Sequence, residues 1–204
     1  MTLDLELIRQ AAVFSSATLH EAMGKRGALP YGIKPIFPEM KLCGPALTVG
    51  AAPMDNLPLH RAIAVALPGD VLVVEVGGGY EAGYFGEIMT VAAQAKKLAG
   101  LVIDGCVRDG ALIRELGFPV FSRGLSIHGT DKNDRGRINT PIKIGDVAID
   151  AGDLMVGDGD GVVVVPAGEV AQVLAAAQKR EDKETLIKKD LTAGKTTLEL
   201  YGWR

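Results

Sequence analysis

Cysteine and aromatic residues are scarce in this chain, and their scarcity limits the classes of protein to which it can belong. The 204 residues contain 2 cysteines, too few for the disulfide framework of a small secreted domain. Cys43 and Cys106 lie in apolar stretches, so we expect two buried free thiols. Aromatic residues make up only 5% of the sequence, and its 26 glycines indicate aliphatic strands joined by many tight turns.

The charged residues also lack any basic tract or stripe. The net charge is -3 at pH 7, with acids and bases interspersed, which does not predict a nucleic-acid interface. The longest apolar runs, at 63–67, 71–76 and 162–165, are far too short to span a bilayer. The first residues lack the basic start and apolar run of a secretory signal. We therefore expect a cytoplasmic protein that binds neither nucleic acid nor membrane.

What the chain does have is enough apolar sequence to build a full core. Hydrophobic residues make up 48% of the sequence and charged residues 23%. We find no internal repeat, no low-complexity segment and no linker. The sequence predicts one domain over residues 1–204, with residues 166–204 as a C-terminal helical extension.

Up to residue 122, helix and strand signals alternate along most of the chain. The predicted helices cover residues 4–14, 15–23, 57–67, 86–98 and 109–116, and the predicted strands 44–52, 71–76, 101–103 and 119–122. In the helix at 86–98, the stripe expected to face the core consists of Ile88, Val91, Ala92, Ala95 and Leu98. Strands that alternate with helices are typical of βαβ units with a parallel sheet.

The rest of the chain changes character. Residues 123–137 are polar and rich in glycine, and short β segments follow at 142–144, 147–149, 154–156 and 162–165. They predict a β-meander or a small barrel-like layer, with Asp158 and Asp160 in a turn rather than a calcium loop. A long helix is predicted from Pro166 to about Leu191. The fold class is therefore α/β: one β/β/α layered domain with N-terminal helices and a long C-terminal helix.

The first segment that could form part of a functional site is the glycine-rich loop at 77–86. It follows a strand and precedes a helix, so the N–H groups of Ile88 and Met89 are expected to be free for a carboxylate or phosphate. The spacing matches neither a dinucleotide-binding fingerprint nor a P-loop. The alternative interpretation is a tight turn that only lets helix and sheet pack.

The second segment, at 104–110, follows the next strand. Asp109 is a hard oxygen ligand suited to Mg²⁺ or Mn²⁺, and Arg108 offers a planar fork for a carboxylate or enolate oxygen. The alternative is a structural ion pair, with Asp109 acting only as a helix N-cap. Since ligands bind outside the carboxyl ends of strands in open α/β sheets, we expect both segments to form one site for a dianionic oxyacid bound through a metal.

Twenty residues separate Glu87 from the Arg108–Asp109 pair. This spacing resembles the acid-x20-Arg-Asp motif of class II pyruvate aldolases, which cleave 4-hydroxy-4-methyl-2-oxoglutarate and 4-carboxy-4-hydroxy-2-oxoadipate. They share a superfamily with RraA, the regulator of ribonuclease activity A. The resemblance covers nearly the whole chain, with similar segments at 18–24, 43–49, 68–74, 105–109 and 158–166.

The resemblance implies an RraA-like fold of the swivelling, phosphohistidine-domain-like type and a role for each site residue. Asp109 would bind the metal directly, and Arg108 would contact the ketone or enolate oxygen. The turn Gly86–Glu87–Ile88–Met89 would bind pyruvate, with the amides of Ile88 and Met89 on its carboxylate. Glu87, where these aldolases have Asp, would reach the metal through water.

The resemblance also implies a homotrimer or hexamer, in which a neighbouring subunit contributes a Glu from its C-terminal helix. We expect that residue to be Glu184, which falls on the apolar stripe of the predicted helix. Glu181 is the rival, and a plain surface charge is the remaining alternative.

The implied reaction is a retro-aldol cleavage to pyruvate and an oxo acid, with oxaloacetate decarboxylation as a side activity. The alternative function is an RraA-like regulator that binds and inhibits a ribonuclease without lyase activity; Asp109 and Glu87 favour the enzyme. A phosphohistidine domain would need a His at the ligand edge, and a methyltransferase a loop that this sequence lacks.

Several polar residues are predicted to be structural. We expect His20, His60 and His128 to have no catalytic role. Four cations could bind the distal carboxylates of a substrate, but a solvated loop is favoured for all of them: Arg123, Lys132, Arg135 and Arg137.

Overall fold

An eight-stranded sheet forms the centre of the fold in the computed structural model, which describes residues 3–203. The strands are β1 (Lys34–Pro35), β2 (Leu42–Gly50), β3 (Val71–Glu75), β4 (Gly100–Ile103), β5 (Cys106–Val107), β6 (Val120–Ser122), β7 (Gly124–Leu125), β8 (Arg137–Ile138), β9 (Ile142–Ile144), β10 (Val147–Ile149), β11 (Leu154–Asp158) and β12 (Gly161–Val165). The helices are α1 (Leu5–Ala11), α2 (Ser16–Ala22), α3 (Leu57–Val65), α4 (Glu87–Ala95), α5 (Gly110–Leu116), α6 (Val170–Thr192) and α7 (Thr197–Tyr201), with a 3-10 turn at Ala167–Glu169.

The sheet has the order β1-β6-β4-β3-β2-β11-β12, and β8 pairs with the far end of β2. Strands β2, β3, β4 and β6 run parallel, as the alternation of helix and strand predicts. The strands at either side, β1, β11 and β12, pair antiparallel. Lys34 of β1 donates a hydrogen bond to the carbonyl of Asp160, just before β12, so the sheet is nearly closed.

The four short strands β9 to β12 are distributed between two sheets, which was not predicted. All four predicted segments exist, but β9 and β10 form a separate hairpin while β11 and β12 join the main sheet beside β2. Their turn is fixed by Asp158, whose carboxylate accepts from the N–H and the hydroxyl of Ser16, both at 2.7 Å. The four segments therefore do not form one meander, and two of them belong to the nearly closed main sheet. The turn predicted at Asp158 and Asp160 is confirmed.

Two apolar clusters fill the fold. The larger lies around the parallel strands, where Val71, Leu72, Val73 and Val74 are fully buried, as their uninterrupted apolar run predicts. The smaller joins α1, α2 and the first half of α6 to the β11–β12 hairpin. Each N-terminal helix starts at a side-chain cap, Asp4 for α1 and Ser15 for α2.

The apolar stripe predicted for α4 is wrong except for Leu98, which is buried just after the helix. Ile88 is 78% exposed and Val91 50% exposed, whereas the residues buried against the sheet are Met89, Thr90 and Ala93. Both faces of this helix carry apolar or small residues, so periodicity alone cannot choose between them. Contacts at the start of α4 set its rotation, and they leave an apolar face in solvent.

The other features of the chain agree with simple expectations. Both cysteines are free, although each is only partly buried; burial raises the pKa of Cys43 to about 11. The short helix α7, which was not predicted, begins with a capping box between Thr196 and Glu199. Within residues 3–203, no helix is long and apolar enough to cross a membrane.

Candidate active site

The loops that follow β3 and β4 are tied together by backbone hydrogen bonds. The N–H of Cys106 donates to the carbonyl of Tyr80 (2.9 Å), and the N–H of Tyr84 donates to the carbonyl of Cys106 (3.1 Å). The N–H of Arg108 then donates to the carbonyl of Phe85 (2.9 Å). These bonds bring Gly86, at the start of α4, directly against the Arg108–Asp109 pair.

The glycine triplet of the first loop makes a turn and lies outside the cleft. Gly77 and Gly78 have φ values of 59° and 90°, a region that favours glycine. A Cβ on Gly79 would lie 2.6 Å from the hydroxyl of buried Tyr84. That hydroxyl donates to the carbonyl of Gly79 (2.7 Å) and accepts from the N–H of Met54 (2.8 Å). For the triplet itself, the tight-turn interpretation is therefore the one that holds.

Gly86 is the glycine of this loop that lies against Arg108 and Asp109. A Cβ at this position would lie 2.5 Å from Oδ2 of Asp109 and 3.1 Å from Cγ of Arg108, so only glycine allows this approach. The N–H of Glu87 donates to the same Oδ2 at 3.1 Å. The N–H groups of Ile88 and Met89 find no acceptor within the part of the chain that the structure describes. They lie at the positive end of the helix dipole, where an anion is stabilised.

Asp109 adopts a strained backbone conformation. Its φ and ψ are 57° and 36°, a left-handed geometry that costs about 1–3 kcal/mol for a non-glycine residue and is common at functional sites. It occupies the N-cap position of α5, but its side chain makes no capping hydrogen bond to that helix, so the expected side-chain cap is absent. Its Oδ2 lies 3.5 Å from Nε of Arg108, and Oδ1 has no partner among residues 3–203. One hard oxygen atom is thus free for a ligand.

A cleft of about 230 Å³ lies at this edge of the sheet. One side, which we name the α4 wall, contains all six residues predicted for the catalytic and binding roles: Gly86, Glu87, Ile88, Met89, Arg108 and Asp109. A second group of lining residues, which we name the α3 wall, consists of Asn56, His60, Thr130 and Lys132. The prediction that two distant segments form one site is correct in its geometry, but it covers only one of the two walls.

Asn56 and His60 of the α3 wall were not predicted as site residues. Asn56 is buried, and its Nδ2 donates to the carbonyl of Tyr84 at 2.8 Å. Its Oδ1 is buried without a partner among the described residues. Partial desolvation and, to a smaller degree, the charge of Lys132 lower the pKa of His60. Neither residue belongs to a recognisable motif.

The segment that carries Lys132 is exposed, as expected for a solvated loop, but its backbone is held in place. The buried carboxylate of Asp55 accepts from three N–H groups, those of Asn133 (2.6 Å), Asp134 (3.0 Å) and Leu57 (2.9 Å). Backbone bonds add to this tie, since the N–H of Asp131 donates to Met54 and the N–H of Asn56 donates to Asp131. Although burial opposes it, these donors hold the pKa of Asp55 below its ordinary value.

The other three loop cations do not line the cleft. Arg123 pairs with Asp104 at 2.7 Å and lies over the ring of Tyr80. Arg137 lies 3.6 Å from Glu75, and the carbonyl of Arg135 accepts from Arg61. For these residues the structural interpretation holds, although ion pairs rather than free solvation account for Arg123 and Arg137.

Two of the three histidines also have structural surroundings. The ring of His20 hydrogen-bonds to the carbonyl of Arg26 at 2.8 Å. His128 is exposed, and its backbone carbonyl accepts from the N–H of Gly83. His60 is the exception, because it lies in the cleft.

Glu184 and Glu181 lie on α6, and neither lines the cleft of their own chain. Oε1 of Glu184 is 2.9 Å from Nε of Arg180, which also approaches Glu21 of α2 at 3.5 Å. The buried residues of α6 all lie in its first half, so the half that carries Glu184 is largely open. Its contribution to a neighbouring subunit stays a prediction.

The cleft can be tested for its fit to a divalent metal. Within residues 3–203 there is no group of three or more His, Cys, Asp or Glu side chains that could hold an ion. Mg²⁺ and Mn²⁺ do not require one, because Mg²⁺ usually binds through one or two carboxylates and keeps several waters. The free Oδ1 of Asp109 fits such an ion, and Glu87 lies close by, because its N–H at the start of α4 bonds to the same carboxylate. Asp109 would hold it directly, and Glu87 through water.

The comparisons with known proteins agree with this fold. The family model described as RraA-like, Aldolase/RraA, matches residues 16–164. A protein of Halalkalibacterium halodurans, provisionally named a 4-hydroxy-4-methyl-2-oxoglutarate aldolase, is 36% identical over 200 residues, which cover 96% of this chain and 95% of that protein. The chain therefore belongs to the RraA-like family.

Solved structures show the same relationship. The crystal structure of an uncharacterized protein from Pseudomonas syringae has a TM-score of 0.87 and 31% identity, covering 96% of this chain and 92% of that one. Streptomyces coelicolor RraAS2, described as an unusual member of the RNase ES inhibitor RraA protein family, has a TM-score of 0.82 and 31% identity, covering 92% and 98%. The predicted family and fold class are confirmed.

Proposed function

We propose that this chain is a divalent-metal-dependent class II pyruvate aldolase. It cleaves 4-hydroxy-2-oxo di- or tricarboxylic acids of the 4-hydroxy-4-methyl-2-oxoglutarate type to pyruvate and an oxo acid. The relative in Halalkalibacterium halodurans carries a name for this activity. The observation that carries the proposal is the convergence of Asp109, Arg108 and the open N-terminus of α4 on one cleft.

The α4 wall would bind the pyruvoyl end of the substrate. The N–H groups of Ile88 and Met89 donate to its carboxylate, which the helix dipole also stabilises. The Arg108 guanidinium donates to the 2-oxo oxygen. Because this oxygen gains negative charge as the C3–C4 bond breaks, the contact is stronger in the transition state than in the ground state.

The proton transfer begins at the C4 hydroxyl. The Glu87 carboxylate, on the first turn of α4, takes up this proton through an ordered water. C4 becomes a carbonyl, the C3–C4 bond breaks, and its electron pair passes into the enolate that Arg108 stabilises. The enolate is then protonated at C3, which gives pyruvate. Oxaloacetate would yield the same enolate by loss of CO₂, so we expect decarboxylation as a side activity.

Asp109, as the direct ligand, and Glu87, through water, would hold Mg²⁺ or Mn²⁺. When bound, the ion supplies Lewis-acid stabilisation of the developing enolate charge. The left-handed backbone of Asp109 supports this role, because it directs the carboxylate at the start of α4 instead of into a cap for α5.

A neighbouring copy would complete the site in a homotrimer or hexamer. Exposed apolar side chains lie beside the α4 wall: Ile88 (78%), Val91 (50%), Leu125 (59%) and Ile127 (93%). Such a group is typical of an interface. The open half of α6 would place Glu184, with Glu181 as the rival, near the adjoining cleft.

The assay that tests the proposed function measures pyruvate release from oxaloacetate and from 4-hydroxy-4-methyl-2-oxoglutarate. We expect release with Mg²⁺ or Mn²⁺, none with EDTA, and a loss of at least about 10³-fold in Asp109→Ala, since the variant removes both the metal ligand and a contact to α4. A folded wild type that releases no pyruvate from either acid with metal present contradicts the aldolase.

The second candidate function is that of a regulator that inhibits a ribonuclease. Its support is the likeness to Streptomyces coelicolor RraAS2. Pyruvate release by the wild type would favour the enzyme, while inhibition of a ribonuclease by both wild type and Asp109→Ala would favour the regulator.

A further inference from the structure

Arg123 connects the segments that follow three neighbouring strands, although it does not line the cleft. It directly follows β6. Its N–H donates to the carbonyl of Gly105 at 2.9 Å, and its guanidinium pairs with Asp104; both of these residues follow β4. Its Cζ lies 4.1 Å from the centre of the Tyr80 ring, in the loop after β3. One side chain therefore contacts both of the loops from which the α4 wall is built.

The guanidinium of Arg123 makes both side-chain contacts at once. Its Nε and Nη2 each lie 2.7 Å from Oδ1 of Asp104, while the group as a whole lies over the ring of Tyr80. Asp104 is buried, so its carboxylate needs this partner. A lysine at position 123 could supply the charge, but its compact ammonium could not also cover the ring. The contact to Tyr80 is therefore specific to arginine.

The segments that Arg123 contacts lead directly to the α4 wall. The carbonyl of Tyr80 accepts from the N–H of Cys106 at 2.9 Å, which ties the loop after β3 to the segment after β4. Cys106 begins β5, and β5 ends immediately before Arg108. Strand β5 pairs with β7, which begins immediately after Arg123. A shift of Tyr80 or of β7 would therefore move Arg108 relative to the start of α4.

We propose that Arg123 is a positioning residue for the reaction, which holds the loop after β3 and the segment after β4 at the spacing that the α4 wall requires. It acts through Asp104 and Tyr80 and contacts neither the substrate nor the metal. The inference rests on the proposed function, because the α4 wall must carry the reacting groups. Since small displacements of such groups lower the rate steeply, loss of this contact should lower kcat in a protein that is still folded.

Hydrogen exchange tests the positioning itself and needs no turnover. The N–H groups of Cys106 and Arg108 donate across the two loops, and mass spectrometry of peptides that cover residues 104–110 measures their exchange. Tyr80→Leu removes the ring but keeps the ion pair, and these groups should then exchange about tenfold faster. Tyr80→Phe keeps a ring under the guanidinium and should exchange as wild type does. Unchanged exchange in Tyr80→Leu would overturn the proposal.

Steady-state kinetics with oxaloacetate tests the consequence for the reaction. We expect kcat to fall about tenfold in Tyr80→Leu and in Arg123→Lys, with Tyr80→Phe close to wild type. The double variant should be no worse than either single variant, because each removes the same contact. KM should change less than about twofold, since the N–H groups proposed to bind the carboxylate belong to α4 itself. A merely structural role would lower the melting temperature and leave kcat unchanged.

Arg114 provides a matched control elsewhere in the fold. It also pairs with a carboxylate, that of Glu39 at 2.8 Å, and lies over an aromatic ring, that of Phe37 at 4.4 Å. These contacts connect the last turn of α5 to the segment between β1 and β2, not to the loops of the α4 wall. Arg114→Lys should therefore keep the kcat and the exchange rates of wild type.

The outcomes separate this role from the proposed function. If wild type releases pyruvate and neither Arg123→Lys nor Tyr80→Leu lowers kcat, the positioning role is wrong while the aldolase stands. The same holds if exchange accelerates without any change in kcat, because Arg123 would then hold the loops without a part in the reaction. If wild type releases no pyruvate, the proposed function fails, and the role of Arg123 in the reaction fails with it.

Discussion

The two walls of the cleft are built in different ways. The α4 wall brings together two segments twenty residues apart, and its geometry is dictated by local backbone: a helix start, a glycine that admits a carboxylate, and a strained Asp109. The α3 wall joins the start of α3 to the loop at 130–134 through Asp55. The first contains the groups assigned to the reaction, and the second depends on a buried carboxylate outside the cleft. Damage to the first should therefore alter kcat, and damage to the second should alter stability.

Gly86→Ala should break the α4 wall and cause the largest change among substitutions that leave Asp109, Arg108 and Glu87 in place. The new Cβ would lie 2.5 Å from Oδ2 of Asp109, so the carboxylate or the start of α4 must move. Misplacement of reacting groups by about 1 Å can cost 10²-fold, and we expect kcat for pyruvate release to fall about 100-fold. Steady-state kinetics measures it.

The control for that substitution is Gly168→Ala, where a Cβ meets nothing within 4 Å. It should leave kcat and the melting temperature unchanged. If Gly86→Ala is folded and fully active, the close approach of Gly86 to Asp109 has no part in the chemistry.

The contrast between the two walls also explains which parts of the site could be predicted from the sequence. The α4 wall was predictable because Glu87, Arg108 and Asp109 follow strand ends, and parallel neighbours bring such positions to one edge. The α3 wall was missed because backbone N–H groups, which have no sequence signature, fix Lys132. Its only visible signal was Asp55, two residues before the N–H of Leu57 to which it binds.

Other differences have similar physical causes. The stripe on α4 was assigned to the wrong face because tertiary contacts, not hydrophobicity, set the rotation of a helix that is apolar on both faces. The strands β11 and β12 were recognised, but the pairing of β11 with β2 depends on register between segments about a hundred residues apart. Periodicity finds such strands but does not choose their partners.

Glu184 belongs to neither wall of its own chain, and we expect it to contribute to the cleft of a neighbouring copy. If it reaches the cleft of a neighbouring copy, Glu184→Gln should lower kcat about 10- to 100-fold, as expected for a group that acts on a metal through water. Glu181→Gln, one helical turn away on α6, is the matched control. Pyruvate release measures both.

Mixed oligomers separate a contribution in trans from a local one. Subunits with Asp109→Ala and subunits with Glu184→Gln are each impaired, but a mixed oligomer contains some clefts with native Asp109 and native Glu184. Co-refolded mixtures should therefore recover activity above the sum of the two variants. No recovery, with mixed oligomers demonstrated by mass, would place the role of Glu184 within its own chain, in the pair with Arg180.

The substitution with the smallest expected effect is Asp55→Asn, which weakens the contacts that hold the α3 wall. Its pKa lies below the ordinary 3.8 in the folded protein because three N–H donors outweigh the effect of burial. A lowered pKa means that the carboxylate stabilises the fold above the unfolded-state value and that this contribution is lost as pH falls through the folded-state value. Asp55→Asn should thus be less stable at pH 7 by about 1–3 kcal/mol, and the difference from wild type should shrink below about pH 4.

Urea unfolding followed by circular dichroism at several pH values measures this difference. Asp146→Asn, at a fully exposed residue paired weakly with Lys143 at 3.9 Å, is the control and should match wild type at every pH. At pH 7, Asp55→Asn should keep its affinity for pyruvate, because only the wall that carries Lys132 is loosened. A loss of affinity for pyruvate would mean that the two walls depend on each other.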